Sequence, residues 1–323
     1  MKRKLPKIMG VVLTIVLMAS FMAFVSPVSA LTDAAWNSKG LPGTTGNKLV
    51  LNTWDLGPVA ISNNFANDNT VFAAVNVAGA QNCYRSTNGG YSWSAATSAS
   101  PAANIVALEV SPAYSDDSTV VMATATTVYR STNGGSSFTQ LGVVNNTGGA
   151  NQITSLAISP NYDGVGEIAI GCAATAAGIV AVPGEEVQKW GASGVLNWSL
   201  FGGLIGCDVM AVAYSPNYPI DSAMLAVGSK AAGGVGTEMH MRVGGNAWDA
   251  LSASLPVVVS ANVDDLGVGG TGVIFADIAL PSDYNAMEGT LRRAYISVTS
   301  ALGVGAGDDD VFRMTNFNAA ADN

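Results

Sequence analysis

The side chains of this sequence that could carry out a reaction are carboxylates. Asp55 and Asp208 each precede a run that we predict to be the innermost strand of a repeat, and Asp264, Asp265 and Asp277 lie near the ends of similar runs. Glycosidic bonds are hydrolysed by two carboxyl groups roughly 5–10 Å apart across a groove. Asp55 and Asp208 are therefore the candidate catalytic residues. The alternative is that these loop carboxylates are solvated and take no part in a reaction.

Two acidic runs are candidates for binding a metal ion. Asp116-Asp117 and Asp308-Asp309-Asp310 could bind calcium, because carboxylates on a flexible loop suit this hard cation. Neither run has the alternating spacing of a calcium loop, so solvated acidic turns are the alternative. No Gly-rich run follows a strand and opens a helix, so no nucleotide cofactor is expected.

Histidine and cysteine chemistry receives little support. His240 is the single histidine and lies in a strand-like run, Glu238–Arg242, which argues against a Ser-His-Asp triad and a His-rich metal site. The odd number of cysteines leaves at least one unpaired or paired between chains. Cys172 and Cys207 could bridge neighbouring repeats, but three small buried side chains are the favoured interpretation of the cysteines, including Cys83.

The first thirty residues have the pattern of a secretory signal peptide. Four of the 14 Lys and Arg residues lie within the first seven positions, an apolar run extends from Ile8 to Val25, and Val28-Ser29-Ala30 matches a small-x-small cleavage site. We predict a signal peptide over residues 1–30, a mature chain that begins at Leu31 and a secreted or cell-surface location. An uncleaved anchor is the alternative, and no second apolar stretch predicts a membrane span in the mature chain.

Charge and composition exclude several classes of protein. The chain has 323 residues, of which 49% are hydrophobic and 11% are charged, and its net charge is −9. Because the 23 acidic residues all follow the basic start, no basic surface remains to neutralise phosphates. Nucleic-acid binding, disorder and coiled coils are therefore not expected.

Internal repeats predict the fold. Five segments contain an apolar run ending in Ser-Pro-Asn-Tyr or a variant, followed by a second apolar run, with the repeat markers at Ser62, Ser111, Ser159, Ser215 and, more loosely, Leu280. The interval of roughly 50 residues fits the four short strands of a propeller blade. No stretch has the period of a long amphipathic helix. The sequence therefore predicts an all-β propeller of about five four-stranded blades.

A third motif follows in the first two repeats. It is Ser86-Thr87-Asn88-Gly89-Gly90-Tyr91-Ser92-Trp93 in one and Ser131-Thr132-Asn133-Gly134-Gly135-Ser136-Ser137-Phe138 in the other. Both copies resemble the Asp-box, or bacterial neuraminidase repeat (BNR), with Asn in place of Asp. The resemblance implies a structural turn between the third and fourth strands of a blade. It assigns that structural role to Ser86, Asn88, Gly90, Trp93, Ser131, Asn133, Gly135 and Phe138.

The family resemblance extends over most of the mature chain and leaves the number of blades open. We predict an N-terminal segment at residues 31–58 and propeller repeats at residues 59–323. The last repeat stops after its third strand, and residues 48–54 resemble an orphan strand that could supply the fourth and close a five-bladed ring. The alternative is that the chain is the front part of a larger propeller.

The sequence leaves three candidate functions. The absence of a catalytic set favours a non-enzymatic exported propeller resembling surface-layer proteins, which associates with itself or binds a cell-envelope protein or glycan. The first alternative is a glycoside hydrolase on an Asp-box propeller. The second is a periplasmic assembly factor, for which an arginine-rich face is expected. A sialidase is not expected, because Arg85, Arg130 and Arg313 occupy equivalent repeat positions, which indicates a structural role.

Overall fold

The chain folds into blades of antiparallel β-strands. The computed structural model describes residues 56–97, 101–145, 151–160, 167–174, 186–191, 197–201, 203–204, 207–230, 236–252, 254–260, 273–300 and 310–315. Within these ranges there are five sheets, four of four strands and one of three, and in each sheet every strand pairs with its neighbour in sequence. The prediction of an all-β propeller built from four-stranded blades is confirmed.

The strands of each blade follow one another without crossovers. Blade 1 contains β1 (Leu56–Ile61), β2 (Val71–Val75), β3 (Asn82–Ser86) and β4 (Ser94–Ala95). Blade 2 contains β5 (Ile105–Val110), β6 (Val120–Thr124), β7 (Val128–Ser131) and β8 (Thr139–Gln140). Blade 3 contains β9 (Asn151–Ile158), β10 (Ile168–Ala174), β11 (Val187–Trp190) and β12 (Trp198–Leu200). Blade 4 contains β13 (Cys207–Tyr214), β14 (Ala223–Lys230), β15 (Thr237–Val243) and β16 (Val257–Ser260). Blade 5 contains β17 (Val273–Ala279), β18 (Arg293–Ser300) and β19 (Asp310–Thr315), with a 3-10 turn at Gly289–Leu291.

The second strands of blades 1 to 3 are almost entirely apolar because both of their faces are covered. In β6, Val120 and Met122 belong to the core cluster shared with blade 1, whereas Val121 and Ala123 belong to the cluster shared with blade 3. Successive side chains of a strand point to opposite faces, so a strand between two neighbouring blades needs an apolar residue at every position. Similar clusters join blade 3 to blade 4 and blade 4 to blade 5.

The Ser-Pro-Asn-Tyr segments form a short helical turn after the first strand. In blade 2 this turn is α2 (Tyr114–Asp117); blade 1 has α1 (Phe65–Asp68) and blade 4 has α3 (Tyr218–Asp221). The hydroxyl of Ser111 donates to Oδ2 of Asp117 (2.6 Å), and the amide of Thr119 donates to Oδ1 (2.8 Å). The turn therefore holds the Asp117 carboxylate through hydrogen bonds. The solvated acidic turn, which the sequence left as the alternative to calcium binding, does not describe this carboxylate.

The Ser-Thr-Asn-Gly-Gly motifs connect the third strand to the fourth. Oγ of Ser86 accepts the amide proton of Gly90 (2.8 Å), and Oδ1 of Asn88 accepts from Ser92 N (2.9 Å). Nε1 of Trp93 donates to the carbonyl of Gly90 (3.0 Å). The second copy repeats the first two bonds with Ser131, Asn133, Gly135 and Ser137, and Phe138 is buried between blades 1 and 2.

Several sequence predictions fall on residues that the structure does not describe. These are the signal peptide at residues 1–30, most of the N-terminal segment and the closing strand at residues 48–54. The first described strand begins at Leu56, before the predicted domain start at residue 59. Within the described ranges, no helix is long and apolar enough to cross a membrane.

Candidate functional site in the central cavity

The first strands of all five blades line one cavity. This cavity has a volume of about 530 Å³. Each inner strand contacts the inner strand of the next blade, from β1 through β5, β9 and β13 to β17. The lining residues are 58–59, 106–109, 154–158, 210–214 and 275–278.

Two carboxylic acids face this cavity from different blades. Glu109 lies on β5 opposite Val121, and Asp277 lies on β17 opposite Ser297. The Glu109 side chain is accessible to water in the cavity, yet protein surrounds it. Desolvation by this surrounding protein raises the pKa of Glu109 from 4.5 to about 7, and the negative charge of Asp277 acts in the same direction. At neutral pH, one carboxyl group of the cavity is thus partly protonated beside a second acidic group.

Strand alternation explains why these two side chains point inward. Leu108 and Val110 pack into the core between blades 1 and 2, so Glu109 between them must face the other side of β5. Ala276 and Ile278 pack into the core between blades 4 and 5, which turns Asp277 toward the cavity in the same way.

Apart from Glu109 and Asp277, most residues that line the cavity have apolar side chains, and several of these keep water-accessible surface. Val59, Val106 and Phe275 are 60%, 39% and 57% exposed, although all three lie on inner strands. Thr154 and Ser155 supply hydroxyl groups, but the Thr154 hydroxyl already donates to the carbonyl of Val209 (2.6 Å). No Lys or Arg occurs among the lining residues that the structure describes. The cavity therefore suits a ligand with an apolar body and a positive charge.

The structure describes two of the five acidic candidates from the sequence, and one of these two lies at the cavity. Asp208 is 3% exposed, does not line the cavity, and accepts a hydrogen bond from the amide of Ala174 in blade 3 (3.0 Å). Asp277 is the one acidic candidate from the sequence that the described residues place at the cavity. Asp55, Asp264 and Asp265 lie outside the described residues.

Sequence inspection missed Glu109, although a signal for it was present. Glu109 is the only charged residue in the apolar run Ile105–Val110, and a charge on an otherwise buried strand needs a polar surrounding. Of the predicted calcium residues, Asp308 and Asp309 lie outside the described residues. Asp310 is exposed at the start of β19, where its Oδ1 accepts from the amide of Val311 (2.7 Å).

His240 lies on β15 as expected, but other chemistry-bearing side chains surround it, contrary to the expectation from sequence. Its Nδ1 lies 2.8 Å from Oδ2 of Asp249, and its Nε2 lies 3.6 Å from both Sγ of Cys207 and Oε2 of Glu238. The described cysteines Cys83, Cys172 and Cys207 are all buried and none is part of a disulfide, so the bridge between Cys172 and Cys207 that the sequence left open does not form.

Basic side chains serve mainly as contacts within and between blades. Nη1 of Arg85 in blade 1 donates to the carbonyl of Gly134 in blade 2 (2.7 Å), and Arg292 donates to the carbonyl of Ala286 (2.6 Å). The guanidinium of Arg242 stacks 3.9 Å from the ring centroid of Phe201. These contacts give the three arginines structural roles.

Comparisons with known proteins find similar architectures. No known family model and no curated protein matches the sequence. Among solved structures, YCF48 from Cyanidioschyzon merolae is 13% identical with a TM-score of 0.44, covering 83% of this chain and 72% of its own. The Niastella koreensis GH74 enzyme is 14% identical with a TM-score of 0.48, covering 81% of this chain and 38% of its own. The extracellular domain of the two component system BT4673 from B. thetaiotaomicron is 10% identical with a TM-score of 0.48, covering 80% of this chain and 27% of its own.

All three of these structures are β-propellers. The assignment of this chain to the propeller fold rests on its own strand topology. The resemblance of its turns to the Asp-box stays a prediction.

Proposed function

We propose that this chain is an exported, non-enzymatic β-propeller that acts at the cell surface as a binding protein, with the central cavity as its ligand site. The observation that carries the proposal is the composition of the cavity, which combines accessible apolar side chains with Glu109 and Asp277 and with no basic residue among its described lining. Apolar surface that remains accessible inside a cavity is typical of ligand sites.

The chemistry of the cavity supports one class of ligand. A short apolar stem that ends in an ammonium group, such as a lysine side chain of a cell-envelope protein, would place its charge between the two carboxylates and its carbons against Val59, Val106 and Phe275. The bound cation would favour the ionised form of Glu109, whose pKa in the free protein is about 7. Binding at neutral pH would therefore release a proton from Glu109.

Titration with small probes tests the cavity directly. Butylammonium, butyrate and butanol have similar apolar stems and differ in charge, so NMR shift changes at the cavity should appear with butylammonium at concentrations where the other two give none. Calorimetry in buffers of different ionisation enthalpy should detect the released proton. Glu109→Gln and Asp277→Asn should each weaken butylammonium binding at least tenfold, whereas Asp116→Asn on the exposed turn should not. Equal binding of the three probes would contradict the proposal.

Export and assembly are tested separately. The sequence motivates cleavage after Ala30, and N-terminal sequencing of the secreted protein should begin at Leu31. Electron microscopy with and without calcium distinguishes sheets or filaments, which would indicate a structural surface protein, from separate particles, which would indicate a binding module.

A glycoside hydrolase is the second candidate, and the Glu109–Asp277 pair favours it. Glu109, whose pKa is raised to about 7, could act as the acid, and the neighbouring Asp277 could act as the nucleophile or base. The test is sugar release from a panel of oligosaccharides. Release that both Glu109→Gln and Asp277→Asn abolish would support the hydrolase, and release by neither the wild type nor these variants would leave the binding role.

A periplasmic assembly factor is the third candidate and has less support. The arginine-rich face that this function predicts would need accessible guanidinium groups, whereas Arg292 is 4% exposed and Arg85 and Arg242 are engaged in contacts between elements of the fold.

A further inference from the structure

Two strands and a turn of blade 4 bring four chemistry-bearing side chains together. Cys207 lies at the start of β13, Glu238 and His240 lie on β15, and Asp249 lies in the turn after β15. Gly228 on the intervening strand β14 pairs with Glu238, and a Cβ atom at Gly228 would lie 3.1 Å from Cβ of Cys207. The missing side chain at this position lets Cys207 reach across β14 toward His240.

The distances from Nε2 of His240 to the other two donor atoms fit a tetrahedral metal centre. Sγ of Cys207 and Oε2 of Glu238 each lie 3.6 Å from Nε2 of His240, and the three residues offer ligand atoms within 4.8 Å of one another. Zinc bonds of about 2.3 Å to sulfur and about 2.0–2.2 Å to nitrogen or oxygen, at tetrahedral angles, separate neighbouring ligand atoms by roughly 3.3–3.6 Å. The two separations from His240 lie at the upper end of that range.

Asp249 prepares His240 to act as a ligand through Nε2. Oδ2 of Asp249 lies 2.8 Å from Nδ1 of His240, while Oδ1 of Asp249 accepts the amide proton of Met241 (3.0 Å). A carboxylate held in this way accepts a hydrogen bond from Nδ1–H and leaves the lone pair of Nε2 directed at Cys207 and Glu238. Metal-binding histidines commonly have this carboxylate partner on the second nitrogen.

The burial of the cluster favours a metal site over a cysteine nucleophile. Cys207, His240 and Asp249 also resemble a cysteine nucleophile with its base and orienting acid, but Cys207 is 1% exposed and His240 is 2% exposed. A substrate could not reach that sulfur, whereas a metal ion bound during folding needs no such access. One thiolate, one imidazole and one carboxylate are together a donor set that suits zinc among common divalent ions.

We propose that Cys207, Glu238 and His240 bind a buried zinc ion in blade 4, with Asp249 as the residue that positions His240. Binding displaces the thiol proton of Cys207 to solvent, and a water molecule completes the tetrahedron. None of these residues lines the central cavity, so the zinc site does not depend on the ligand binding proposed above.

Metal analysis of the untagged full chain, expressed in zinc-supplemented medium, tests the site. The wild type should contain about one zinc ion per chain. Cys207→Ser and His240→Gln should contain less than about a tenth of that, while Cys83→Ser, which removes another buried cysteine, should retain it. Asp249→Asn should weaken zinc binding by roughly 10–100-fold in competition with a chelator.

Cobalt supplies a readout that identifies the sulfur ligand. Protein expressed with cobalt should show a thiolate-to-cobalt charge-transfer absorption that persists in Cys83→Ser and disappears in Cys207→Ser. Circular dichroism checks that each variant folds. If Cys207→Ser does not fold, the metal content of Glu238→Gln tests the site instead, because this substitution keeps the size of the side chain and removes its charge. Metal-free wild type, or full metal content in folded Cys207→Ser or Glu238→Gln, would overturn the proposal.

Discussion

Gly135 of blade 2 lies directly against the ring of Phe72 in blade 1. A Cβ atom at Gly135 would lie 2.5 Å from Cε1 of Phe72, and the φ angle of Gly135 is +78°. Phe72 is fully buried and packs edge-on against Tyr114, with 5.7 Å between ring centroids. The turn between β7 and β8 therefore closes against the neighbouring blade only if its last glycine has no side chain.

Gly135→Ala should destabilise the protein strongly. The added methyl group meets a buried ring in addition to the strain of a positive φ angle, and the combined cost should be about 3 kcal/mol or more in denaturant unfolding. Gly79→Ala is the matched control, because Gly79 has φ +77° but no atom lies within 4 Å of the point that its Cβ would occupy. The control should cost about 1 kcal/mol. Equal losses in the two variants would show that the contact with Phe72 does not matter.

Glu109 should make the stability of the protein fall as the pH rises from about 4.5 to about 7. The folded protein holds the Glu109 proton more tightly than the unfolded chain, because the pKa of Glu109 is about 7 in the fold and 4.5 is its ordinary value. Glu109→Gln should therefore raise Tm relative to the wild type at pH 8 and leave it unchanged at pH 4. Carbon NMR titration should show a lower Glu109 pKa in Asp277→Asn than in the wild type. A Tm gain at pH 4 equal to that at pH 8 would contradict this assignment.

The ion pair of blade 3 joins Lys189 on β11 to Glu167, which precedes β10. Replacing Glu167 should destabilise the protein more than replacing Lys189. Nζ of Lys189, whose side chain is 3% exposed, lies 2.5 Å from Oε2 of Glu167, whose side chain is 23% exposed. Desolvation lowers the pKa of Lys189, and Glu167 opposes that shift. Glu167→Gln leaves a buried ammonium and should cost about 3–5 kcal/mol, whereas Lys189→Met leaves a partly hydrated carboxylate and should cost less.

Chemical denaturation of the two single variants and the double variant measures this coupling. The double variant should lose less stability than the two single losses combined. Arg293→Gln is the control, because its ion pair with Asp283 is exposed and should contribute at most about 1 kcal/mol. Additive losses for Glu167 and Lys189 would argue against the coupling.

The carboxylate in the helical turn of blade 4 should contribute more to stability than the corresponding carboxylate of blade 1. Asp221 is 3% exposed and accepts from Ser215 Oγ (2.7 Å), Ala223 N (2.9 Å) and, in blade 5, Ala286 N (3.0 Å). Asp221→Asn replaces an acceptor oxygen by a donor in this buried site and should cost about 2–3 kcal/mol in thermal or denaturant unfolding.

Asp68→Asn provides the comparison. Asp68 accepts from Ser62 Oγ (2.5 Å) and Thr70 N (2.8 Å) within its own blade and is only half-buried. Its replacement should cost about 1 kcal/mol. A larger loss at Asp68 than at Asp221 would show that the contact with blade 5 contributes nothing.

The candidate site was only partly predictable from the sequence. Asp277 is one of five acidic candidates from the sequence because it lies near the end of a predicted inner strand, and Glu109 carries a signal because it interrupts an apolar run. Their meeting in one cavity could not be predicted, since it depends on how blades 2 and 5 are placed around the centre. His240 illustrates the same limit: in sequence it stands alone, whereas β13 and the turn after β15 bring Cys207 and Asp249 to its two nitrogens.

The sequence by itself determined the blades, because strand alternation, turn residues and their recurrence are local properties of the chain. The apolar runs such as Val120–Thr124 and the Ser-Thr-Asn-Gly-Gly turns specify where strands begin and end. Only the tertiary structure decided which side chains of different blades lie near one another, including Glu109 and Asp277 at the cavity. That outcome depends on burial and packing between segments far apart in the chain, and no local pattern encodes those distances.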